Sequence, residues 1–100
     1  MRRAARQDDN HGEIATAFRK MGVCTRNTHQ LGDGFPDLIC ACKHGTWLVE
    51  IKDGAKSPSR RKLTGLEDLF RKFWPQPVYI VESVKDVPGV IMRACRGVTE

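Results

Sequence analysis

The reading of this chain turns on residues 32–54, GDGFPDLICACKHGTWLVEIKDG. A Pro-Asp, Pro36-Asp37, stands just ahead of an apolar run that ends at Cys42. Lys43, His44 and Gly45 interrupt it, and a second run over 46–52 closes on Glu50-Ile51-Lys52. Side chains on a strand alternate between faces, so Trp47, Val49 and Ile51 share one side of the second run and Leu48, Glu50 and Lys52 share the other. The first face reads as core. The second brings an acid and a base onto Cα atoms only about 7 Å apart. So short a link between the runs predicts an antiparallel hairpin, which sets Asp37 beside Glu50 or Lys52.

Working outward, Asn10 offers a helix cap with Glu13 three residues on, and Ile14, Ala17, Phe18 and Met21 follow at helical spacing before Gly22. A helix over 10–21 is expected, then a strand over 23–28 and a loop over 29–36. Strands at 37–42 and 46–52 come next, and 53–62 reads as a loop broken by Gly54 and Pro58. Leu66, Leu69, Phe70 and Phe73 give a second helix, 64–74, its apolar stripe, and Pro75 and Pro77 end it. A strand over 78–81 and one short helix in the tail complete an α-β-β-β-α-β order. The fold class is α/β, a central mixed sheet of about four strands flanked by helices. Residues 1–9 read as a flexible basic arm, and 10–100 as one domain.

The chain has 100 residues and a net charge of +5, an excess that suits a polyanionic partner. No apolar run reaches membrane length, so no membrane partner is expected. The first ten residues are polar, without the apolar stretch of a secretory leader. Cys24, Cys40, Cys42 and Cys95 form no CxxC pair, and His11, His29 and His44 show no zinc spacing. The cysteines therefore read as four buried or free thiols in a reducing cytoplasm, and the histidines as structural or exposed.

Two neighbouring carboxylates repel each other when ionised, and a hard divalent cation such as Mg²⁺ removes the conflict. Asp37 and Glu50, with the Ile51 carbonyl between Glu50 and Lys52, make a plausible ligand set. Lys52 could then serve the attacking water or neutralise charge developing on a phosphate. An acid-x-Lys triplet alone carries little information, since about one is expected by chance in a chain of this composition. The Pro-Asp, the hairpin-sized gap and the alternation around both runs add the weight.

These pieces, in order, resemble the PD-(D/E)xK nucleases, and among them the small stand-alone virus-type replication-repair nuclease (VRR-NUC) domain. The resemblance rests on Glu13 in the first helix, Gly34-Phe35-Pro36-Asp37, Glu50-Ile51-Lys52, and Leu63-Thr64…Glu67…Phe70…Trp74, and covers about residues 10–85. It implies a restriction-endonuclease-like core and a Mg²⁺- or Mn²⁺-dependent endonuclease acting on branched DNA as a homodimer, as in the similar Holliday junction resolvases. It also implies a bacterial or phage-infected cytoplasm. Asp37 and Glu50 would hold the metal with the Ile51 carbonyl, Lys52 would serve the water, and Glu13 would join from the first helix. Gly65 and Glu67 depart from the Pro and Gln that the family often carries there.

Plainer readings compete. Asn10 to Glu13 has capping-box spacing, so Glu13 could serve the helix start alone, and Thr64-x-x-Glu67 reads as a capping box outright. Lys56, Arg60, Arg61 and Lys62 follow the site and are candidates for contacts to the DNA backbone, although a charge run is usually a solvated face. Arg2, Arg3 and Arg6 could add a basic arm. Trp47 and Trp74 read as core, and Phe35 as either core or site. The alternatives to a branched-DNA nuclease are a non-catalytic nucleic-acid-binding module on the same fold and a restriction-like nuclease of duplex DNA.

Overall fold

The computed structural model describes residues 9–95. The expected basic arm, with Arg2, Arg3 and Arg6, lies outside the described residues apart from Asp9. Helix α1 (His11–Lys20) leads into strand β1 (Cys24–Asn27), then β2 (Leu38–Cys42) and β3 (Gly45–Ile51). Helix α2 (Gly65–Phe73), strand β4 (Val78–Val81) and helix α3 (Val87–Ala94) complete the order, with 3-10 turns at His29–Leu31, Pro58–Arg61 and Val84–Asp86.

The four strands form one sheet in the order β1-β2-β3-β4. β1/β2 and β2/β3 pair antiparallel, and β3/β4 pair parallel, so the sheet is mixed. Cys42 faces Gly45 across the β2–β3 turn, which fixes the hairpin register and sets Leu38 opposite Val49. A parallel neighbour to β3 needs a crossover, and the chain supplies it through α2.

The core lies on one side of the sheet. Ile14, Ala15 and Phe18 of α1 and Val87 and Val90 of α3 pack there against Leu38, Cys40, Trp47, Val49 and Ile51. Trp47, Val49 and Ile51 are all buried, as the alternation of β3 requires. The opposite side of β3 is also covered, because Leu48, Glu50 and Lys52 are buried too.

Asn10 does not cap α1 with its side chain. Its Nδ2 donates instead to the carbonyls of Lys52 (3.2 Å) and Glu82 (3.0 Å), tying the helix start to the ends of β3 and β4. Thr64 and Glu67 do form the full capping box at α2.

Two further expectations need correction. Cys42 and Cys95 are joined as a disulfide with Cα atoms 5.9 Å apart, so the chain does not carry four thiols. The end of α3 lands beside the hairpin end, a juxtaposition across 53 positions that local sequence does not announce. Cys40 is a buried free thiol and Cys24 an exposed one. Trp74 is not core: it is exposed and stacks on Phe70, with ring centres 5.0 Å apart, while Phe35 meets Phe70 edge-on. Most of the α2 stripe is likewise uncovered. Leu66 and Leu69 are exposed, Phe73 is 81% exposed, and only Phe70 turns inward.

Candidate active site

The loop before β2 sets the geometry. Gly32, Asp33 and Gly34 all have positive φ (74°, 55° and 82°), so the chain folds back sharply ahead of Pro36. A Cβ at Gly34 would collide with the Leu66 carbonyl, so glycine lets this loop close against the start of α2. Asp37 follows in a fixed frame. Its N–H donates to the Val49 carbonyl (2.9 Å), and its carbonyl accepts from the Thr28 N–H (2.8 Å). The Thr28 hydroxyl donates to the Pro36 carbonyl at 2.8 Å.

Both carboxylate oxygens of Asp37 are held. Oδ2 accepts from the Ile51 N–H at 2.8 Å, and Oδ1 lies 3.1 Å from His29 Nδ1. The hairpin register therefore places Asp37 against 50–51, as expected from the turn length.

Glu50 projects from β3 on the face opposite the core and is only 4% exposed. Burial pushes its carboxyl up to about 10, and the charges of Asp37 and Glu67 push the same way, against a smaller opposing pull from Lys52. Lys52 is 8% exposed just beyond β3, where its N–H donates to the Val81 carbonyl at 3.0 Å. Its Nζ donates to Glu67 Oε1 at 2.8 Å and stands 3.7 Å from Glu50 Oε2.

Glu67 thus does two things. Oε1 accepts from the Thr64 N–H (2.9 Å) within the capping box and also receives the Lys52 ammonium. Desolvation raises the Glu67 carboxyl, but hydrogen bonds from Lys52, Thr64 and Glu50 outweigh it and leave it below the ordinary range. Asp37, Glu50, Ile51, Lys52, Glu67 and His29 together line a cavity of about 240 Å³.

The structure therefore gathers Asp37, Glu50, Ile51 and Lys52 at one place. Glu13 is exposed on α1 and does not line that cavity, nor does it make the reciprocal cap with Asn10. Of the basic loop, Lys56 pairs with Asp9 (3.8 Å) and Arg61 with Glu82 (3.2 Å), while Arg60 and Lys62 are exposed. Two residues at the site were given no functional role by sequence reasoning. Glu67 was visible only as a cap, and His29 carried no spacing signal at all.

No family model and no curated protein matches the sequence. A solved structure described as a VRR_NUC domain does match. It is 27% identical, with 83% of this chain and 95% of that one covered and a TM-score of 0.57. The resemblance to VRR-NUC domains holds. It extends from the motifs to the mixed four-stranded sheet with flanking helices, a nuclease-type, restriction-endonuclease-like fold.

The oxygen donors of this site suit a divalent cation by their chemistry. Asp37 and Glu50 are acidic neighbours, and burial first, then the charges of Asp37 and Glu67, push the Glu50 carboxyl up, a conflict of the kind that a cation among the carboxylates would relieve. Among the described residues no group of three His, Cys, Asp or Glu side chains is poised to hold a metal. Asp37, Glu50 and the Ile51 carbonyl are the oxygens that would hold such a cation, with water completing the shell, as is usual for Mg²⁺.

Proposed function

We propose that this chain is a metal-dependent endonuclease that hydrolyses phosphodiester bonds in branched DNA. The observation that carries the reading is the convergence of Asp37, Glu50 and Lys52 on one cavity, with the Glu50 carboxyl pushed up by burial and, after that, by its acidic neighbours. A purely structural hairpin gains little from burying an acid beside two other carboxylates, whereas a cation-dependent site needs carboxylates gathered in this way.

Asp37, Glu50 and the Ile51 carbonyl would hold Mg²⁺ or Mn²⁺. When bound, the ion supplies Lewis-acid polarisation of the scissile phosphate and stabilises the charge that develops on it. The chain's own groups do the rest. Lys52, aimed into the cavity and restrained by Glu67, donates hydrogen bonds to the attacking water or to a phosphate oxygen. The P–O bond to the leaving sugar oxygen breaks as the water oxygen bonds to phosphorus; the attacking water gives up a proton to solvent and the leaving oxygen takes one from solvent, so that hydroxyl and phosphate ends result. The exposed Arg60 and Lys62 lie in the loop that follows Lys52 and suit contacts to backbone phosphates, which carry no base information. A homodimer fits this reading as well. The uncovered Leu66, Leu69 and Phe73 of α2 are the kind of apolar face that a second copy would bury, and two sites would suit paired cuts at a four-way junction.

The test is incubation of end-labelled four-way junction and linear duplex of matching sequence with Mg²⁺. Preferential cutting of the junction supports the reading. Equal cutting of duplex would move it to a duplex nuclease, and tight binding without cutting to a DNA-binding module.

A further inference from the structure

We infer that His29 is a positioning residue for the cation site: its ring fixes the carboxylate of Asp37 in the orientation that presents ligand oxygens to the cavity. The inference rests on the metal-dependent reading above and adds a residue to it.

Asp37 Oδ2 is held by the Ile51 N–H, which ties the carboxylate to the backbone of Ile51, whose carbonyl would be the third donor. One such bond leaves the carboxylate able to pivot about Oδ2. His29 Nδ1, 3.1 Å from Oδ1, removes that freedom. A carboxylate oxygen only accepts, so Nδ1 is the proton-bearing nitrogen in this contact. Each oxygen keeps lone-pair capacity toward the cavity after accepting one protein N–H.

The imidazole is itself fixed. His29 is 8% exposed, its main-chain N–H donates to Asn27 Oδ1 at 2.8 Å, and its ring meets His11 edge-on with centres 6.0 Å apart. Its neighbour Thr28 grips the Pro36-Asp37 backbone through two hydrogen bonds of 2.8 Å. The segment after β1 thus clamps both the backbone and the side chain of Asp37. Hydrogen-bonded supports of this kind commonly govern metal affinity by about 10- to 100-fold.

The experiment is calorimetric titration of Mn²⁺ into the DNA-free full chain as wild type, His29→Ala, His29→Asn and Asp37→Asn, with thermal unfolding recorded for each. An asparagine amide places an N–H near the position of Nδ1. The expected results are measurable binding by wild type, loss of binding in Asp37→Asn, and affinity weakened about tenfold or more in His29→Ala. His29→Asn should recover most of that loss. A purely structural role would lower the melting temperature and leave the affinity of folded protein unchanged. Wild-type affinity in a folded His29→Ala overturns the inference while leaving the metal reading intact. Should His29→Ala fail to fold, His29→Asn decides: near-wild-type affinity supports the inference, and affinity reduced tenfold or more overturns it. Failure of wild type to bind Mn²⁺ would instead overturn the metal reading beneath it.

Discussion

Replacing Glu50 with glutamine should stabilise the metal-free protein, and increasingly so as pH rises. In the folded chain the Glu50 carboxyl is raised to about 10, against an ordinary value of 4.5. Between those values the folded state keeps a proton that the unfolded state has lost. Stability therefore falls with rising pH, by up to about 1.4 kcal/mol per unit. From pH 6 to pH 8 the loss is on the order of 3 kcal/mol, a large part of the roughly 5–15 kcal/mol that holds a typical domain together. Glu67 works in the opposite sense. Its lowered carboxyl contributes stability that is complete above its ordinary range and lost only in acid, so it does not alter the slope over this window. Glu50→Gln has no carboxyl to titrate, and the gap between variant and wild type should widen by that amount. For a domain of this size it amounts to roughly 10–20 °C in melting temperature. The assay is thermal and urea unfolding of both proteins in EDTA at pH 6, 7 and 8. A gap that stays constant across the three values would refute the claim that Glu50 is held protonated by its surroundings.

Other consequences are open to measurement. Cation binding must displace the Glu50 proton, so Mn²⁺ affinity by calorimetry should tighten by up to about tenfold per pH unit between pH 6 and 8, with proton release visible as a buffer-dependent heat. Gly34→Ala puts a Cβ into the Leu66 carbonyl at a φ of 82°, and should cost at least roughly 1–3 kcal/mol in urea unfolding while slowing cleavage. Reducing the Cys42–Cys95 disulfide should lower stability by about 2–4 kcal/mol in wild type, and reductant should leave Cys95→Ser unmoved.

Much of the site was legible because it is local. The period-two pattern of β3 and the length of the Lys43-His44 turn suffice to align Leu38 with Val49 and thereby bring Asp37 to Ile51. The α-β-β-β-α-β order follows from the same kind of short-range signal, and the observed boundaries differ from the expected ones by a residue or two. What escaped depends on contacts across the fold. Glu67 satisfies the capping box so fully that its second partner, Lys52, fifteen residues away, left no trace in the local pattern. His29 reaches Asp37 only because the loop through Gly32 and Gly34 reverses the chain. Cys95 reaches Cys42 only after α3 has docked. Asn10 suits a cap by residue type, because such residues favour helix starts, yet its amide serves the Lys52 and Glu82 carbonyls, a demand that exists only once the two strand ends lie side by side. The stripe of α2 was visible as apolar, but periodicity says which residues share a face and not whether anything covers it.

If Asp37, Glu50 and Lys52 form one metal-dependent hydrolytic site, cleavage of an end-labelled four-way junction should need both the cation and Lys52. Wild type and Lys52→Ala would be compared under single-turnover conditions, each in Mg²⁺ and in EDTA. Wild type should cut in Mg²⁺ and not in EDTA, and a folded Lys52→Ala should cut more slowly by about 100-fold or more. Undiminished cutting in EDTA, or a folded Lys52→Ala as fast as wild type, would contradict it.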